Sequence, residues 1–296
     1  MFVMKEKQQI NNKDDGTATL ITQIRDTLED LGRLTDDAAK SETIKNYLEF
    51  CARFHNYSFA NQILILVQCP DASHVAGFRT WQGMGRSIRK GSQAIRILAP
   101  MIYERKKETK KENGNNDTLD MEEEEQIVRY FRPVCVFNVS QTMGDKPLPG
   151  PDIEITGDTH QKLLQPILGY IKKQGITTVF REINGEALGY TTRNKPVIVV
   201  DNTLSPDQQI ETLLHETAHQ LLHQNSNGGP SLTREDEELE ASAVAYVVCQ
   251  HHHLDTKNPN YLALWNADTK KIKEHMERIT SAARRIIQGI EGGNNT

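Results

Sequence analysis

The residues with the clearest chemical meaning are His215, Glu216 and His219, which form an H-E-x-x-H pentad. Two histidines four positions apart in a helix lie on one face, about one turn from each other, so both imidazoles can bind one metal ion. A glutamate beside the first histidine can take a proton from a water molecule held by that ion. The spacing therefore indicates a metal-dependent hydrolase, and the usual substrate of such a site is a peptide bond.

The pentad lies within a segment that has the signals of a helix. Ser205, Pro206 and Gln208 suit the N-cap, the first helical position and the capping-box partner, and apolar residues then recur at helical spacing. Residues 196–200 precede this start and are typical of a short buried strand. The pentad is therefore expected in the second and third turns of a helix, where side-chain directions are fixed.

A catalytic zinc ion needs a third protein ligand and an open position for water. A second helix is predicted over residues 234–253, with Thr233 as its N-cap, and its first turns are rich in glutamate. Acidic residues in a first turn have an ordinary explanation in the helix dipole. Glu238 differs because Ala241 and Ala245 share its face, and small residues there allow a close approach to the pentad helix.

Glu238 is accordingly the expected third ligand, with Glu235 and Glu240 ranked behind it. At 100° per residue Glu240 points about 200° away from Glu238, so the two are not expected to share an ion. The resulting set of His215, His219 and Glu238 favours Zn²⁺, with water in the fourth position and Glu216 as the general base.

Other polar side chains near this site have weaker assignments. His223, Tyr190 and Tyr246 are candidates for stabilising the oxyanion, although a packing or supporting role is the expected one for His223. The histidine run 251–253 ends the second helix. Three consecutive helical residues cannot all face one metal, and cationic side chains suit a helix C-terminus, so no metal role is expected for them.

Composition limits the classes of protein that this chain can represent. A length of 296 residues permits two domains, each with its own core, and the net charge is −5. No apolar run reaches membrane-spanning length and no signal-peptide core is evident, so a cytoplasmic protein without membrane contact is expected. The cysteines are scattered without a C-x-x-C pair and are expected to be reduced core residues; they are Cys51, Cys69, Cys135 and Cys249.

The first half of the chain concentrates positive charge. Helices are predicted over residues 17–34, 41–54 and 58–68, and strands over 93–103 and 127–139. Between residues 77 and 111 there are ten Lys/Arg against two Asp/Glu, interleaved with aromatic residues. This pattern suits single-stranded nucleic acid, because cationic side chains can bind phosphates and aromatic rings can stack on bases. A solvated basic face together with a buried Trp81 would give the same pattern.

Several stretches of this half resemble the N-terminal domain of ArdC-type antirestriction proteins. They are residues 56–62, 75–81, 85–86, 90–92, 97–100 and 136–142, in order. The resemblance extends over roughly residues 17–145, and it implies a single-stranded-DNA-binding module of the kind found on plasmids and other mobile elements. The candidate DNA contacts are Asn61, Trp81, Arg86, Lys90 and Arg96.

The second half resembles the zincin-like metallopeptidase domain that accompanies the ArdC module and is related to the ImmA/IrrE peptidases. The matching residues are the pentad and the stretch 238–246, and the resemblance implies Glu238 as the third metal ligand. There are two departures. Residues 104–126 form a charged insertion without a counterpart, and Ser242 stands where relatives often carry an acidic side chain.

We therefore expect an α+β fold with two domains. The boundaries are a disordered N-terminus at 1–16, an ArdC-like domain at 17–143 with a disordered charged insertion at 104–126, a linker at 144–157, and a zincin-like domain at 158–296. In the second domain we predict a helix over 158–174, a hairpin of 177–183 with 187–191 across Asn184–Gly185, and C-terminal helices over 260–264 and 269–290. A small sheet lies beside the pentad helix.

The expected function is that of a single-stranded-DNA-binding zinc metalloprotease of the antirestriction type that cleaves protein targets near DNA. One alternative is a DNA-binding antirestriction protein whose metal domain is only structural. Another is a regulatory protease that cleaves a repressor. A metal-dependent nuclease fits poorly, since such sites usually gather several carboxylates around two metals.

Overall fold

The structure is a computed structural model, and it describes residues 15–32, 37–105, 125–144, 160–185, 187–192, 195–223, 232–254, 256 and 269–292. Helices and strands occur throughout these ranges, which confirms the α+β class. Most of the predicted N-terminal disorder, charged insertion, linker and 260–264 helix lies outside them. Within them, Asp15 and Gly16 are helical, and residues 104–105 and 125–126 are strand, so the predicted boundaries of those two segments shift by two residues.

The N-terminal region contains three longer helices, a short one and two small antiparallel sheets. Its helices are α1 (Asp15–Gly32), α2 (Asp37–Arg53), α3 (Phe59–Gln68) and α4 (Phe78–Gly83). Its strands are β1 (Val75–Gly77), β2 (Ser87–Ile88), β3 (Ile95–Arg105), β4 (Glu125–Asn138) and β5 (Thr142–Met143). One sheet has the order β1-β4-β3, and β2 pairs with β5 in the other. The short helix α4 was not predicted.

The C-terminal region places a three-stranded sheet beside a group of helices. Its elements are α5 (His160–Lys173), β6 (Thr177–Arg181), β7 (Gly189–Thr191), β8 (Val197–Asp201), α6 (Pro206–His223), α7 (Arg234–His251) and α8 (Thr269–Glu291). The sheet has the order β6-β8-β7, with β8 parallel to β6 and antiparallel to β7. None of the helices in the described ranges is long and apolar enough to cross a bilayer.

The predicted hairpin between residues 177–183 and 187–191 is wrong, because β8 lies between those two strands. The strand β8 reads Val-Ile-Val-Val-Asp, and its last four residues are buried. A strand that is apolar on both faces gains most from a central position, where it has partners on both edges. The chain therefore does not turn back at Asn184 to pair with β6; it continues to β7 on the other side of β8.

The helices of the two regions share one hydrophobic core. Tyr47, Leu48 and Cys51 of α2 are buried in the same cluster as Val244 and Val248 of α7. The cluster continues into α3, α5, α6 and α8. A second cluster packs the other faces of α2 and α3 on the sheet of β3 and β4, through Phe50, Phe54, Leu64, Ile65, Ile95, Ile97 and Val136. The structure thus joins the two predicted domains by packing as well as by sequence.

Candidate metal centre and basic surface

The pentad lies in α6, whose start is fixed by the predicted cap. The Ser205 hydroxyl accepts from the Gln208 backbone N–H at 3.4 Å, and the Gln208 carboxamide oxygen accepts from the Ser205 N–H at 3.3 Å. The opposite face of the helix carries buried Ile210, Leu213 and Leu214, which anchor it to the shared core. The cap and the apolar face together orient His215 and His219 away from the core, where both are partly exposed.

The helix α7 begins with the predicted cap at Thr233 and approaches α6 through small residues. Thr233 and Asp236 form a reciprocal capping box, with both hydrogen bonds at 3.1 Å. Ala241 and Ala245 are buried, and Glu238 on the same face is half-exposed beside the two histidines. The close approach that these small residues allow brings Glu238 to the pentad.

His215, His219 and Glu238 place three donor atoms in a tight triangle. The two Nε2 atoms are 3.0 Å apart, and Oε2 of Glu238 lies 3.3 Å from His215 Nε2 and 3.4 Å from His219 Nε2. Three ligands of a tetrahedral zinc ion, each 2.0–2.1 Å from the metal, are separated by about 3.3 Å. The triangle therefore has the dimensions of one face of a zinc coordination tetrahedron.

The protonation states of these groups also suit a metal. Burial lowers the pKa of His219 to about 4, so its imidazole is neutral at neutral pH. The hydrogen bond from His215 lowers the pKa of Glu238 to about 2, against the opposing effect of burial, so its carboxylate is ionised. Metal ligands must be deprotonated, and both groups meet this condition without help from the ion.

Glu216 follows His215 directly in α6 and is 8% exposed. Burial raises its pKa to about 7, His215 opposes the rise, and the carboxylate of Glu238 adds to it. A general base works best when its pKa is close to the working pH. The side chain of Glu216 is therefore suited to accept a proton and later release it.

The strand β7 passes close to Glu216. A Cβ atom added at Gly189 would lie 2.5 Å from Thr212 Cγ2 and 3.6 Å from Glu216 Cγ, so only glycine allows the strand to lie this near to α6. Gln220 donates a hydrogen bond to the Thr191 hydroxyl and holds the other end of the strand. Gly189 falls inside the predicted strand 187–191, and the sequence-based prediction missed its role, although a lone glycine within a strand can indicate a close approach of another element.

Glu240 occupies a different environment from Glu238, as its helical angle predicts. It is fully buried and accepts hydrogen bonds from His275, at 2.5 Å from Nδ1, and from Arg278, at 2.8 Å from Nε. Both partners belong to α8, so this carboxylate joins α7 to α8. Among the described residues, Glu235 is exposed and lies outside the group of donor atoms around His215.

The three candidates for the oxyanion have different surroundings. Tyr246 is 3% exposed and its hydroxyl donates to Glu49 of α2 at 3.1 Å, so its predicted role in the site is wrong. His223 directs Nε2 to the Glu237 carbonyl at 3.2 Å, in agreement with the expected supporting role. The Tyr190 hydroxyl accepts from Arg181, on the exposed side of the small sheet.

The structure separates the five candidate DNA contacts into two groups. Trp81 is 1% exposed and its indole N–H donates to the Phe137 carbonyl at 2.9 Å, so the prediction that it stacks on a base is wrong. Asn61 exchanges two 2.9 Å hydrogen bonds with the main chain of Leu98, which fixes α3 on β3. Both side chains are used for packing and register within the N-terminal region.

The other three candidates have accessible charge. Lys90 and Arg96 are exposed, and Arg86 is half-buried with its Nε donating to the Thr142 hydroxyl at 2.8 Å. Three aromatic rings outside the five candidates are exposed in the N-terminal region, with exposed fractions near one half; they are Phe78, which the sequence analysis counted among the interleaved aromatic residues, Tyr130 and Phe131. One predicted core cysteine, Cys135, is exposed on β4, because it occupies an outward position of the strand.

Fold and metal centre together define a metallopeptidase-like α+β protein. Residues 10–137 match the model of the N-terminal domain of anti-restriction factor ArdC, and residues 171–254 match the IrrE N-terminal-like domain of the M78 peptidases. The chain therefore carries a segment similar to the ArdC N-terminal domain, followed by a segment similar to the IrrE-like domain.

Individual relatives are more distant. An uncharacterized Bacillus anthracis protein, pXO2-81, is 26% identical over 330 aligned positions that include 98% of this chain and 53% of the relative. The chain thus spans about half the length of that protein. The antirestriction ArdC protein of the R388 plasmid is 17% identical in both solved forms. The alignment with the metal-free form covers 80% of this chain and 86% of the ArdC chain, with a TM-score of 0.45. The alignment with the Mn(II)-bound form covers 81% of this chain and 86% of the ArdC chain, with a TM-score of 0.49.

Proposed function

We propose that the protein is a single-stranded-DNA-binding, zinc-dependent metallopeptidase that acts in antirestriction on protein targets near DNA. The observation that carries the proposal is the triangle of His215, His219 and Glu238, with the buried carboxylate of Glu216 beside it. Imidazole nitrogens and one carboxylate are a donor set that Zn²⁺ prefers. A bound zinc ion would supply Lewis acidity and would lower the pKa of a water molecule in its open position.

The protein's own part of the reaction is proton transfer and substrate alignment. Glu216 accepts a proton from the attacking water at its carboxylate and delivers it to the leaving nitrogen of the peptide. The edge strand β7 offers main-chain hydrogen bonds to an extended peptide, since within the described ranges β8 is the one strand that pairs with it. Gly189 lies against Glu216, so a peptide added to β7 would run past the carboxylate. This arrangement favours a peptide as the substrate.

Replacement of Glu216 by Gln tests the peptidase proposal. The variant should keep stoichiometric zinc while its cleavage of casein falls by about 10²–10⁴-fold, because the amide cannot accept the proton. Metal analysis for zinc and manganese and a cleavage assay on the same samples measure both effects. Glu235→Gln, the same change at an exposed position in the first turn of α7, is the matched control.

Undiminished cleavage by Glu216→Gln, or a wild type without stoichiometric metal, contradicts the proposal. The same variant also separates the alternatives in the cell. If Glu216→Gln still protects incoming DNA from restriction, the metal domain is structural and proteolysis is not the function. Loss of a particular repressor on induction of the wild type, and not of the variant, would favour the regulatory protease.

The proposed DNA contact is the exposed charge of Lys90 and Arg96 together with the exposed rings of the N-terminal region. A cavity of about 150 Å³ beside Trp81 is formed partly by stretches that carry the family resemblance; its lining includes Asn56, Tyr57, His74, Val75 and Ala76. A region that offers exposed cations, exposed aromatic faces and a small cleft is suited to a strand whose bases are unpaired. Phe78 and Phe131 take the stacking role that was predicted for Trp81.

Lys90→Ala tests this contact. Removal of one phosphate contact should weaken binding to an oligothymidylate and reduce the slope of log K against log salt by about 0.7. Fluorescence anisotropy at several salt concentrations measures both quantities. Lys172→Ala, at an exposed position on α5, should leave the slope unchanged. An unaltered slope for Lys90→Ala would show that this residue does not contact the DNA.

A separate assay tests whether DNA binding affects proteolysis. Equal casein cleavage with and without the oligonucleotide would leave such a coupling unsupported.

A further inference from the structure

The C-terminal ends of three helices meet at a second group of possible metal ligands. The helix α2 ends at Arg53, α7 ends at His251 and α8 ends at Glu291. His55, His251 and Glu291 each offer a ligand atom there, and these atoms lie within 4.8 Å of one another. His251 is thirteen residues after Glu238 in the same helix, so the group lies about 20 Å along α7 from the pentad site.

One carbonyl oxygen orients both histidines of this group. The Ala52 carbonyl lies 3.0 Å from His251 Nδ1 and 3.3 Å from His55 Nδ1. A carbonyl oxygen can only accept, so both Nδ1 atoms carry the proton in these hydrogen bonds. Each ring can then offer the lone pair of Nε2 to a metal. A backbone carbonyl that fixes the tautomer in this way is the usual outer partner of a metal-bound histidine.

The donor atoms already have part of the spacing that a metal needs. His251 Nε2 and Glu291 Oε1 are 2.8 Å apart, so they need to separate by only about 0.5 Å to reach the edge length of about 3.3 Å expected for two zinc ligands. Adjustment on binding therefore falls on the His55 ring, which lies just beyond the end of α2. Arg284 holds that segment in place by donating to the main-chain carbonyls of His55, at 2.6 Å, and of Tyr57.

The helix ends around the group favour a cation, while the guanidinium of Arg284 at the His55 carbonyl opposes it. Helix C-termini carry partial negative charge, and three of them converge here. Next to His251 lies His252, which is 1% exposed, with 4.9 Å between the two ring centroids. Neither ring nitrogen of His252 has a hydrogen-bond partner among the described residues. A buried imidazole with unused nitrogens is costly to leave unpaired, and His252 therefore marks a buried polar environment next to the three donors, although it is not one of them.

We propose that His55, His251 and Glu291 form a second metal site that binds a divalent ion of the Zn²⁺ class and joins the end of α2 to the ends of α7 and α8. His55 belongs to the stretch that matches the ArdC domain, His251 to the IrrE-like stretch, and Glu291 follows both. The ion acts as a structural clamp between the two regions. The alternative is an ion pair between His251 and Glu291 that holds the helices without metal.

Counting of bound Co²⁺ distinguishes these two cases. The 296-residue chain, stripped with a chelator and titrated with Co²⁺, should bind two ions, and each should contribute to the visible absorption. His251→Asn keeps a donor near the position of Nδ1 but lacks Nε2, so it should bind one ion. Glu291→Gln should do the same. The control His253→Asn should bind two, because His253 is exposed and its backbone φ of 56° is one that Asn tolerates.

The two sites can be separated by a variant of the first. His215→Asn combined with His219→Asn should retain one ion, and the further change His251→Asn should remove it. Circular dichroism establishes that each variant is folded, and the count in the wild type is informative even if a variant does not fold. A wild type that binds one ion, lost in the pentad variant and kept by His251→Asn and Glu291→Gln, overturns the second site. If the wild type instead binds one ion that the pentad variant keeps and that His251→Asn and Glu291→Gln lose, the second site is supported. The pentad site then binds no metal, and the proposed peptidase activity is contradicted.

Discussion

At the scale of single residues, Ser242 provides the side-chain contact to Nδ1 of His215, the first histidine of the candidate metal centre. Its hydroxyl lies 3.4 Å from His215 Nδ1, a long contact for a hydrogen bond. A metal-bound histidine is usually oriented by a stronger acceptor, such as a carboxylate. The sequence indicated a missing carboxylate at this position, and the structure gives that departure a physical meaning, since a weak acceptor leaves His215 less well oriented.

Ser242→Asp should therefore strengthen metal binding. A carboxylate that accepts from Nδ1–H raises the basicity of Nε2, and partners of this kind change affinity by about tenfold or more. Ser242→Ala should cost little, because the present contact is long. Competition with a chromophoric chelator measures both affinities. Ser281→Asp adds the same charge at an exposed position of α8 and should have no effect; equal affinities for Ser242→Asp and the wild type would contradict the prediction.

At the scale of elements, two helical glycines that look alike in the sequence have opposite environments. A Cβ atom at Gly289 of α8 would overlap the ring carbons Cδ2 and Cε2 of Tyr170 in α5. At Gly169, one position before that tyrosine, a Cβ atom would meet nothing within 4 Å. The first glycine therefore permits the close crossing of α5 and α8, and the second only increases the flexibility of the unfolded chain.

Substitution by alanine should change stability in opposite directions at these two sites. Gly289→Ala should lower the free energy of unfolding by about 2 kcal/mol, because the Tyr170 ring must move. Gly169→Ala should raise it by about 0.5–1 kcal/mol through helix propensity. Urea unfolding followed by circular dichroism gives both values, each variant serving as the control for the other. A stabilised Gly289→Ala would mean that α5 and α8 do not cross closely.

The sequence was sufficient to predict the features that depend on local chemistry, and it was not sufficient for those that depend on packing between elements. The caps at Ser205 and Thr233 and the placement of Glu238 depend on local chemistry and helical angle, so the sequence was sufficient to predict them. The centre of the small sheet depends on which strand best tolerates burial on both faces, and the turn signal at Asn184 carries no information on that. Likewise, the pattern around Trp81 could not separate a buried ring from an exposed one, since only the packing of α4 on β4 decides it.

At the scale of the whole molecule, the core shared by both regions should make them unfold together. Leu48 of α2 is fully buried in the cluster that also contains Val248 of α7. Leu48→Ala should cost about 3 kcal/mol and should lower the urea midpoints of helix loss and of zinc release by the same amount. Val67→Ala, at an exposed position of α3, should leave both midpoints in place. Two separate transitions in the wild type would contradict a single cooperative unit.

The hydrogen bond between Tyr246 and Glu49 and the apolar contacts around it have an evolutionary consequence. Modules that pack only against themselves can be exchanged freely by recombination. Here a crossover between the two coding segments would pair an α2 surface with an α7 surface that never evolved to fit it. Such hybrids would begin with mismatched apolar side chains at the junction, so the two halves should be inherited as one block and should show correlated substitutions at positions such as Leu48 and Val248.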